Sequence, residues 1–376
     1  IFCLFCQSIW VSKKMGFGRR LCGLAASLVL LSWSEAFSPV PHLGTKRFAT
    51  SRFLFGKEAA SSAMPPRVGF APTKTKLKDG AELEMFPAKP KTMEWEIDCF
   101  SRPVVMEDGK KLWDLLITDT WGSFRYSKTI PANEVNSKEL RNVIEDFLDE
   151  YGSDPDAVRY FRGEMANMLR IALEDLNIKV IPSRNCCSLY NWLEERHDEV
   201  YPQMKGFKKV MIRNTANENQ YDARPKKMPD EIRGEKYAFV GLPLAEFLPG
   251  GGINEQNVGM GRLCPLPSFR GVAAGDTFVQ GIVILTERGP EICKHMNEME
   301  IVGVKCNLNG RQVYLQEGIS MDLLFARLNE EQRKEAVIFE EGKLDTKGLH
   351  FISVQKDETQ EIPDGFYLFR EVPKGI

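Results

Sequence analysis

The sequence predicts an α+β protein with two domains, each a mixed β-sheet packed with helices. Two runs rich in β-branched and aromatic residues, 95–105 and 111–119, flank a turn signal at Glu107-Asp108-Gly109, which indicates a β-hairpin. Apolar stripes at helical spacing follow, and a second series of strand and helix patterns begins near residue 237. Residues 92–376 are therefore long enough for two domains, at about 100–200 residues each.

The hairpin is predicted to form the floor of the first domain. In its first strand Trp95 and Ile97 alternate with Glu96 and Asp98, a pattern typical of a strand with one exposed face. The second strand is apolar on both faces, so helices or another sheet must cover it. We expect the helices that follow to do so.

The remaining elements of the first domain, residues 92–204, follow from helical spacing and caps. Asn136 with Glu139 three residues later is a capping-box pattern, and Gly152 ends that helix. The predicted elements are a strand at 124–128, a helix at 136–152, a strand at 157–161, a helix at 165–177, a strand at 178–181 and a helix from 182 to 202.

The second domain, residues 231–376, shows the same mixture of patterns. Its glycine-rich segment, 248–261, lacks Gly-Lys-Ser/Thr and a following amphipathic helix, so we expect a flexible loop and not a phosphate-binding loop. The predicted elements are strands at 237–243 and 278–286, a helix opened by Pro290, a hairpin of 300–307 and 311–316 around Asn309-Gly310, a helix at 329–340, and strands at 349–355 and 365–372.

Residues 1–91 have the composition of targeting and tether segments. Residues 1–14 are expected to be read-through before Met15. Residues 15–36 combine two arginines, an apolar run and a small-x-small site, and 37–57 are basic and rich in Ser and Thr. This order resembles the bipartite plastid-targeting leader of algae with secondary plastids, which implies the chloroplast stroma. Residues 58–91 are predicted to be a disordered tether.

Simple secretion is the alternative to plastid import. A membrane anchor is disfavoured, because the apolar run is shorter than the roughly 20 residues that span a bilayer. Six cysteines follow Phe37 without a CxxC pair, a distribution typical of reduced thiols and not of a disulfide framework.

The charge of the body limits how it can bind polyanions. Residues 1–57 carry eight of the 50 Lys and Arg residues and one of the 52 acidic residues, so the remainder carries 42 and 51, a net charge of −9. Nucleic-acid binding therefore requires a local basic patch. The most basic stretch, 205–230, has two interpretations: a solvated interdomain linker, or a flexible arm that neutralises RNA phosphates.

No catalytic residue, metal site or cofactor is predicted. The body contains only His197, His295 and His350, without Cys or His neighbours at ligand spacing, and no nucleophile motif. One enzymatic alternative is a divalent-metal-dependent nuclease that uses Glu96, Asp98 and Asp114 with the nearby lysines. The simpler interpretation is that these carboxylates lie on the exposed face of the sheet.

Basic and aromatic residues of the first domain are the candidates for contacting RNA, by neutralising phosphates and stacking on bases. The competing interpretation is structural: the arginines pair with acids and the rings lie in the core. The candidates are Arg102, Lys110, Lys111, Trp121, Arg125, Tyr126, Lys128, Arg159, Arg162 and Arg184.

Long motifs across the body resemble the Tab/Atab family of plastid and cyanobacterial RNA-binding proteins. They read WEIDCFSRPVV, DGKKLWDLLI, VRYFRGEMANML, IPSRNCCSLYNWLEER, YAFVGLP and GLHFISVQ. The resemblance adds Trp113 and Arg196 to the RNA-binding candidates and carries no catalytic assignment. It implies a non-catalytic stromal factor that binds the 5′ leader of a photosystem I reaction-centre mRNA, promotes its translation and supports photosystem assembly, photosystem II included. Translation or assembly factors are the implied protein partners. A scaffold without RNA contact is a further alternative.

Overall fold

The computed structural model describes residues 46–47, 72–209, 224–269, 272 and 274–373, and it confirms the predicted α+β class. Lys46–Arg47 form a two-residue strand, β1, which pairs in parallel with the second domain. The predicted read-through, the rest of the predicted leader and residues 58–71 of the predicted tether lie outside the described residues.

The N-terminal domain is built on a seven-stranded mixed sheet, in the order β2-β3-β6-β5-β4-β7-β8. Only the pairs β4–β7 and β7–β8 are parallel within it. The predicted hairpin is confirmed as β4 and β5, with Gly109 at φ +79° in the turn. The strands are β2 (Thr73–Lys76), β3 (Glu82–Met85), β4 (Glu94–Val105), β5 (Lys111–Asp119), β6 (Phe124–Ile130), β7 (Ala157–Tyr160) and β8 (Lys179–Pro182).

Two of these strands lie where the sequence predicted a tether, so that prediction is wrong for residues 72–91. β3 pairs with β6, and β2 pairs with β3 at the edge of the sheet. The Lys and Thr residues of β2 give no apolar period, and charged residues are common on short edge strands. In β3, Leu83 and Met85 alternate with two glutamates, but over four residues only. Ala81 and Leu83 are buried in the domain core and hold the segment there.

Three helices cover the two faces of this sheet: α1 (Ser137–Tyr151), α2 (Ala166–Leu173) and α3 (Cys187–Glu195). α1 and α2 pack on the face that carries Trp95 and Ile97. α3 packs on the opposite face, where Leu189 and Trp192 contact Leu116. The Asn136 cap is confirmed, since its side chain accepts the N–H groups of Lys138 and Glu139, each at 3.0 Å.

α3 corrects two expectations. It begins at Cys187, after a turn in which the N–H of Arg184 donates to the Gly318 carbonyl, and not at residue 182. The expectation that one face of β4 is exposed to solvent is also wrong, because α3 covers that face. On it, Glu96 is 1% and Asp98 2% exposed. Strand alternation shows which side chains share a face, but not what packs over that face.

The C-terminal domain has two sheets: a five-stranded sheet, β1-β10-β11-β15-β16, and a four-stranded sheet, β12-β13-β14-β9. Its large core cluster includes Phe239, Ile282, Leu315 and Phe339. The strands are β9 (Lys226–Lys227), β10 (Lys236–Pro243), β11 (Phe278–Leu285), β12 (Ile301–Asn307), β13 (Gln312–Glu317), β14 (Met321–Arg327), β15 (Leu349–Gln355) and β16 (Gly365–Arg370), and the helices are α4 (Gly289–Glu298) and α5 (Glu330–Asp345).

The glycine-rich loop is folded against β16, which differs from the flexible loop that we expected. The Phe366 N–H donates to the Val258 carbonyl at 2.8 Å, and the Leu368 N–H donates to that of Arg262 at 2.9 Å. A Cβ added to Gly261 would lie 2.0 Å from the Phe366 carbonyl oxygen. Glycine is required there because the two backbones touch.

Within the part of the chain that the structure describes, no helix combines the length and the apolar character that crossing a bilayer requires.

Candidate nucleic-acid interface

A buried ion-pair network joins β4 and β5 in the N-terminal domain. The Arg102 side chain is 1% exposed, and its Nη2 lies 3.0 Å from Asp98 Oδ2 and donates to the Asp114 carbonyl at 3.3 Å. Asp98 and Asp114 are equally buried. A buried charge is tolerated only where its partners compensate for the missing hydration, so these groups hold one another in place.

Two further arginines complete the network from its rim. Arg162 Nε donates to Asp98 Oδ1 at 2.8 Å, and Arg196 Nη2 donates to Asp114 Oδ2 at 2.9 Å. The Tyr201 hydroxyl also donates to Asp114, and burial raises the pKa of Tyr201 to about 12. Guanidinium groups thus neutralise both aspartates from several sides.

Glu96 lies apart from this network, under the first turn of α3. Its Oε2 accepts the Leu189 N–H at 2.7 Å, and burial raises the pKa of its carboxyl well above the ordinary range. The three carboxylates of the nuclease alternative are therefore held by arginines or by a helix. Among the described residues, no group of three or more His, Cys, Asp or Glu side chains is placed to bind a metal ion.

Arg159 lies at the contact between the two domains. Its Nε donates to Glu300 Oε1 at 2.9 Å and its Nη1 to Glu94 at 2.5 Å. Ser183 and Arg262 also contact Glu300. Burial alone would raise the pKa of Glu300, but Arg262 and Arg159 outweigh it, so that pKa is lowered.

Four further candidates are also engaged within the protein: Arg125, Arg184, Tyr126 and Trp113. Arg125 pairs with Glu195 at 2.9 Å, and Arg184 Nε donates to the Gly318 carbonyl at 3.4 Å. Tyr126 is 2% exposed, with its ring stacked 4.2 Å from that of Phe147. Trp113 is half-buried and packs edge-to-face on Phe100. RNA contact by these residues stays a prediction.

Lys110 and Lys111 differ from the other candidates because they are exposed, at the tip of the hairpin. The start of the predicted basic linker lies beside them: the Val105 N–H donates to the Gly206 carbonyl at 2.9 Å, and the Lys208 N–H donates to that of Pro103 at 2.8 Å. This pairing brings five exposed lysines onto two adjoining segments, and we name them the hairpin-tip lysines: Lys110, Lys111, Lys205, Lys208 and Lys209.

Two acidic residues, Glu107 and Asp108, lie within the hairpin-tip turn, and Glu107 pairs with Lys205 at 2.9 Å. The lysines remain in excess, so the tip is a local basic patch on an acidic body. The two segments are far apart in the sequence, and the antiparallel backbone pairing of Val104 with Phe207 joins them. The sequence signal for this packing is apolar: Met204 and Phe207 pack against Val104, Leu112 and Tyr201.

Two family models match the chain over most of the described residues. The model described as "RNA-binding protein Tab2/Atab2 N terminal" matches residues 94–196, and the model described as "RNA-binding protein Tab2/Atab2, C-terminal domain" matches residues 216–370. The chain is also 30% identical over 283 residues to the chloroplastic protein TAB2 homolog of Arabidopsis thaliana, which covers 74% of this chain and 75% of that protein. The homolog of Zea mays is 30% identical over 283 residues, 74% of this chain and 72% of that protein.

Proposed function

Because the chain belongs to the Tab2/Atab2 family of RNA-binding proteins, we propose that it is a non-catalytic plastid factor that binds the 5′ leader of a plastid mRNA. In this proposal it promotes translation of that mRNA in photosystem I biogenesis. The chloroplastic relatives support the plastid location.

The hairpin-tip lysines are the observation that carries the proposal. Their side chains are exposed on two paired segments, whereas Arg102, Arg159 and Arg196 are directed into ion pairs within the protein. Lys205 would exchange Glu107 for a phosphate, whereas Lys110 and Lys111 can bind phosphates without first breaking a salt bridge of the described structure. The released counterions favour binding. Phosphate contact at the tip would give affinity, and contact with bases would give any sequence preference.

Filter binding of residues 72–376 to plastid 5′ leaders across a salt series tests this function. We expect the logarithm of the binding constant to fall linearly with the logarithm of salt concentration, by about 0.7 for each phosphate contacted on a single strand. Affinity that is absent, or independent of salt, would contradict RNA binding and favour the scaffold alternative.

The same reactions, run with Mg²⁺, distinguish binding from cleavage. We expect the leader to remain intact. Cleavage that depends on the divalent ion and disappears in Asp98→Ala would contradict the non-catalytic assignment. Crosslinking in the organelle, followed by sequencing of the bound RNA, then identifies the transcript. Recovery of no leader from a photosystem I mRNA would contradict that part of the proposal.

A further inference from the structure

A cleft of about 340 Å³ lies between the two domains, at the end of the hairpin opposite the lysines. The N-terminal domain contributes Glu96, Trp121 and Asn185 to its walls, and the glycine-rich loop contributes Glu255, Gly261 and Arg262. Its volume falls within the range of about 300–1,000 Å³ that small-molecule sites occupy. It combines an aromatic ring with convergent polar groups.

Trp121 lies in the turn between β5 and β6, and this turn is held rigidly. The Asp119 carboxylate accepts the Ser123 N–H and hydroxyl, each at 2.6 Å. The Ser188 hydroxyl on α3 donates to the Thr120 carbonyl at 2.8 Å. A ring on such a support loses little conformational entropy when a ligand stacks on it.

The Trp121 ring is half-buried, and none of the aromatic or cation–π contacts among the described residues involves it. Other tryptophans of the body are used internally: Trp95 packs on three rings, and Arg125 and Arg196 lie over Trp192. Trp121 is thus an indole that lines a cleft without a stacking partner in the described structure.

The polar groups of the cleft suit a neutral ring with hydrogen-bonding edges better than a phosphate. Glu94, Glu96 and Glu255 line it. Arg262 is already directed to Glu300, at 3.4 Å, and to the Ile301 carbonyl, at 3.3 Å. Carboxyl groups accept hydrogen bonds from exocyclic amino groups of bases, whereas they repel a phosphate.

Asn185 adds an amide that can both donate and accept. With its oxygen turned towards the guanidinium, it accepts from Arg262 Nε at 3.2 Å, which leaves the amide nitrogen as a donor. Burial raises the pKa of the Glu96 carboxyl well above its ordinary range, and Glu94 and Glu255 add carboxylate acceptors to the same wall. Donors and acceptors therefore surround one aromatic face.

We propose that this cleft takes one unstacked base of single-stranded RNA, which stacks on Trp121 while its edge meets the polar wall. This inference rests on the proposed RNA-binding function. Single-stranded RNA is commonly recognised through splayed bases that stack on aromatic rings. The cleft and the hairpin-tip lysines lie at opposite ends of β4, about 35 Å apart at the rise of a β-strand, so the two sites can be tested independently.

Binding of short single-stranded oligonucleotides of A, C and U to the full chain tests the proposal. Trp121→Ala is expected to weaken binding of at least one of them by about 5- to 150-fold, the range that removal of one base stack produces. The slope of the salt dependence is expected to stay unchanged, because no phosphate contact is removed. Trp121→Phe is expected to restore most of the affinity.

Tryptophan fluorescence supplies a second readout with a matched control. We expect bound RNA to quench the emission of the wild type and of Trp95→Phe, which alters a tryptophan buried in the domain core, and expect that quenching to disappear in Trp121→Phe. Wild-type affinity in Trp121→Ala, with or without a lower melting temperature, would overturn the cleft proposal. Loss of quenching in Trp95→Phe, with quenching kept in Trp121→Phe, would also overturn it. An absence of salt-dependent binding in the wild type would instead contradict the proposed function itself.

Discussion

At the scale of single residues, arginine is the residue type whose role the sequence resolves least. A pattern of Arg beside aromatic residues is the same whether the guanidinium faces solvent or a buried aspartate. Arg102 shows the difference: Asp98 is four positions away on the same strand, but Asp114 comes from the paired strand. Only the register of β4 and β5 brings these three charges together.

Arg102→Ala is predicted to destabilise the protein by about 3–5 kcal/mol, because it leaves Asp98 and Asp114 buried with fewer partners. Chemical unfolding measures this change. Arg170→Ala, at an exposed pair with Glu174, is the control and should change stability by less than about 0.5 kcal/mol. A fold that survives with weakened RNA binding would instead support the RNA contact that the sequence predicts for Arg102.

His350 is predicted to make stability depend on pH. Its Nε2 accepts the Val304 N–H at 3.0 Å, and burial, followed by Lys343, lowers its pKa to about 4. The unfolded chain, with an imidazole pKa of about 6.5, binds the proton more readily. Neutral His350 therefore contributes fully to the free energy of unfolding above pH 6.5. As the pH falls towards 4, the free energy of unfolding decreases by about 3 kcal/mol.

Unfolding of His350→Gln and of the wild type across that pH range measures this contribution. The variant should show a flatter pH dependence between about pH 6.5 and 4. Parallel curves for His350→Gln and the wild type would contradict the assignment.

At the scale of elements, the sequence predicted helix ends where capping residues set them. Asn136 and Gly152 mark the ends of α1 as the sequence indicated, with Gly152 at φ +77°. The hairpin of β12 and β13 was also predicted, although its loop has four residues, 308–311, and not two. Strands β2 and β3 were missed because β2 has no apolar residue and the apolar alternation of β3 spans only four residues. β3 pairs with β6, and β2 pairs with β3.

Asn136→Ala is predicted to lower the free energy of unfolding by about 1 kcal/mol, because two N–H groups at the start of α1 lose their acceptor. Thermal unfolding measures this loss of stability. Asn136→Asp supplies a carboxylate at the same place and should retain the stability of the wild type. Equal losses in both variants would show that the side chain does more than cap the helix.

At the scale of the whole molecule, the two domains share a polar contact centred on Glu300. Arg370 reinforces it from β16, where its Nη2 pairs with Glu194 on α3 at 2.6 Å. Cys187 at the start of α3 also packs in the C-terminal cluster with Val240 and Phe351. α3 thus belongs to both domains, which neither helical periodicity nor domain length could reveal.

Glu300→Gln is predicted to weaken the coupling between the domains, because Arg159 and Arg262 lose the charge that they share. Calorimetry should show one transition for the wild type and a broader or divided transition for the variant. Glu298→Gln, exposed on α4, is the control. An unchanged single transition in Glu300→Gln would contradict the coupling.

The hairpin-tip lysines carry the central claim, and salt-dependent RNA binding tests them most directly. A variant with Lys110→Ala, Lys111→Ala and Lys208→Ala should bind a plastid 5′ leader more weakly, with a slope shallower by about 0.7 for each phosphate that the variant no longer neutralises. A variant with Lys294→Ala and Lys334→Ala, at exposed positions of the C-terminal domain, should retain the wild-type slope. Equal slopes in the wild type and both variants would contradict the claim that the hairpin tip binds the RNA backbone.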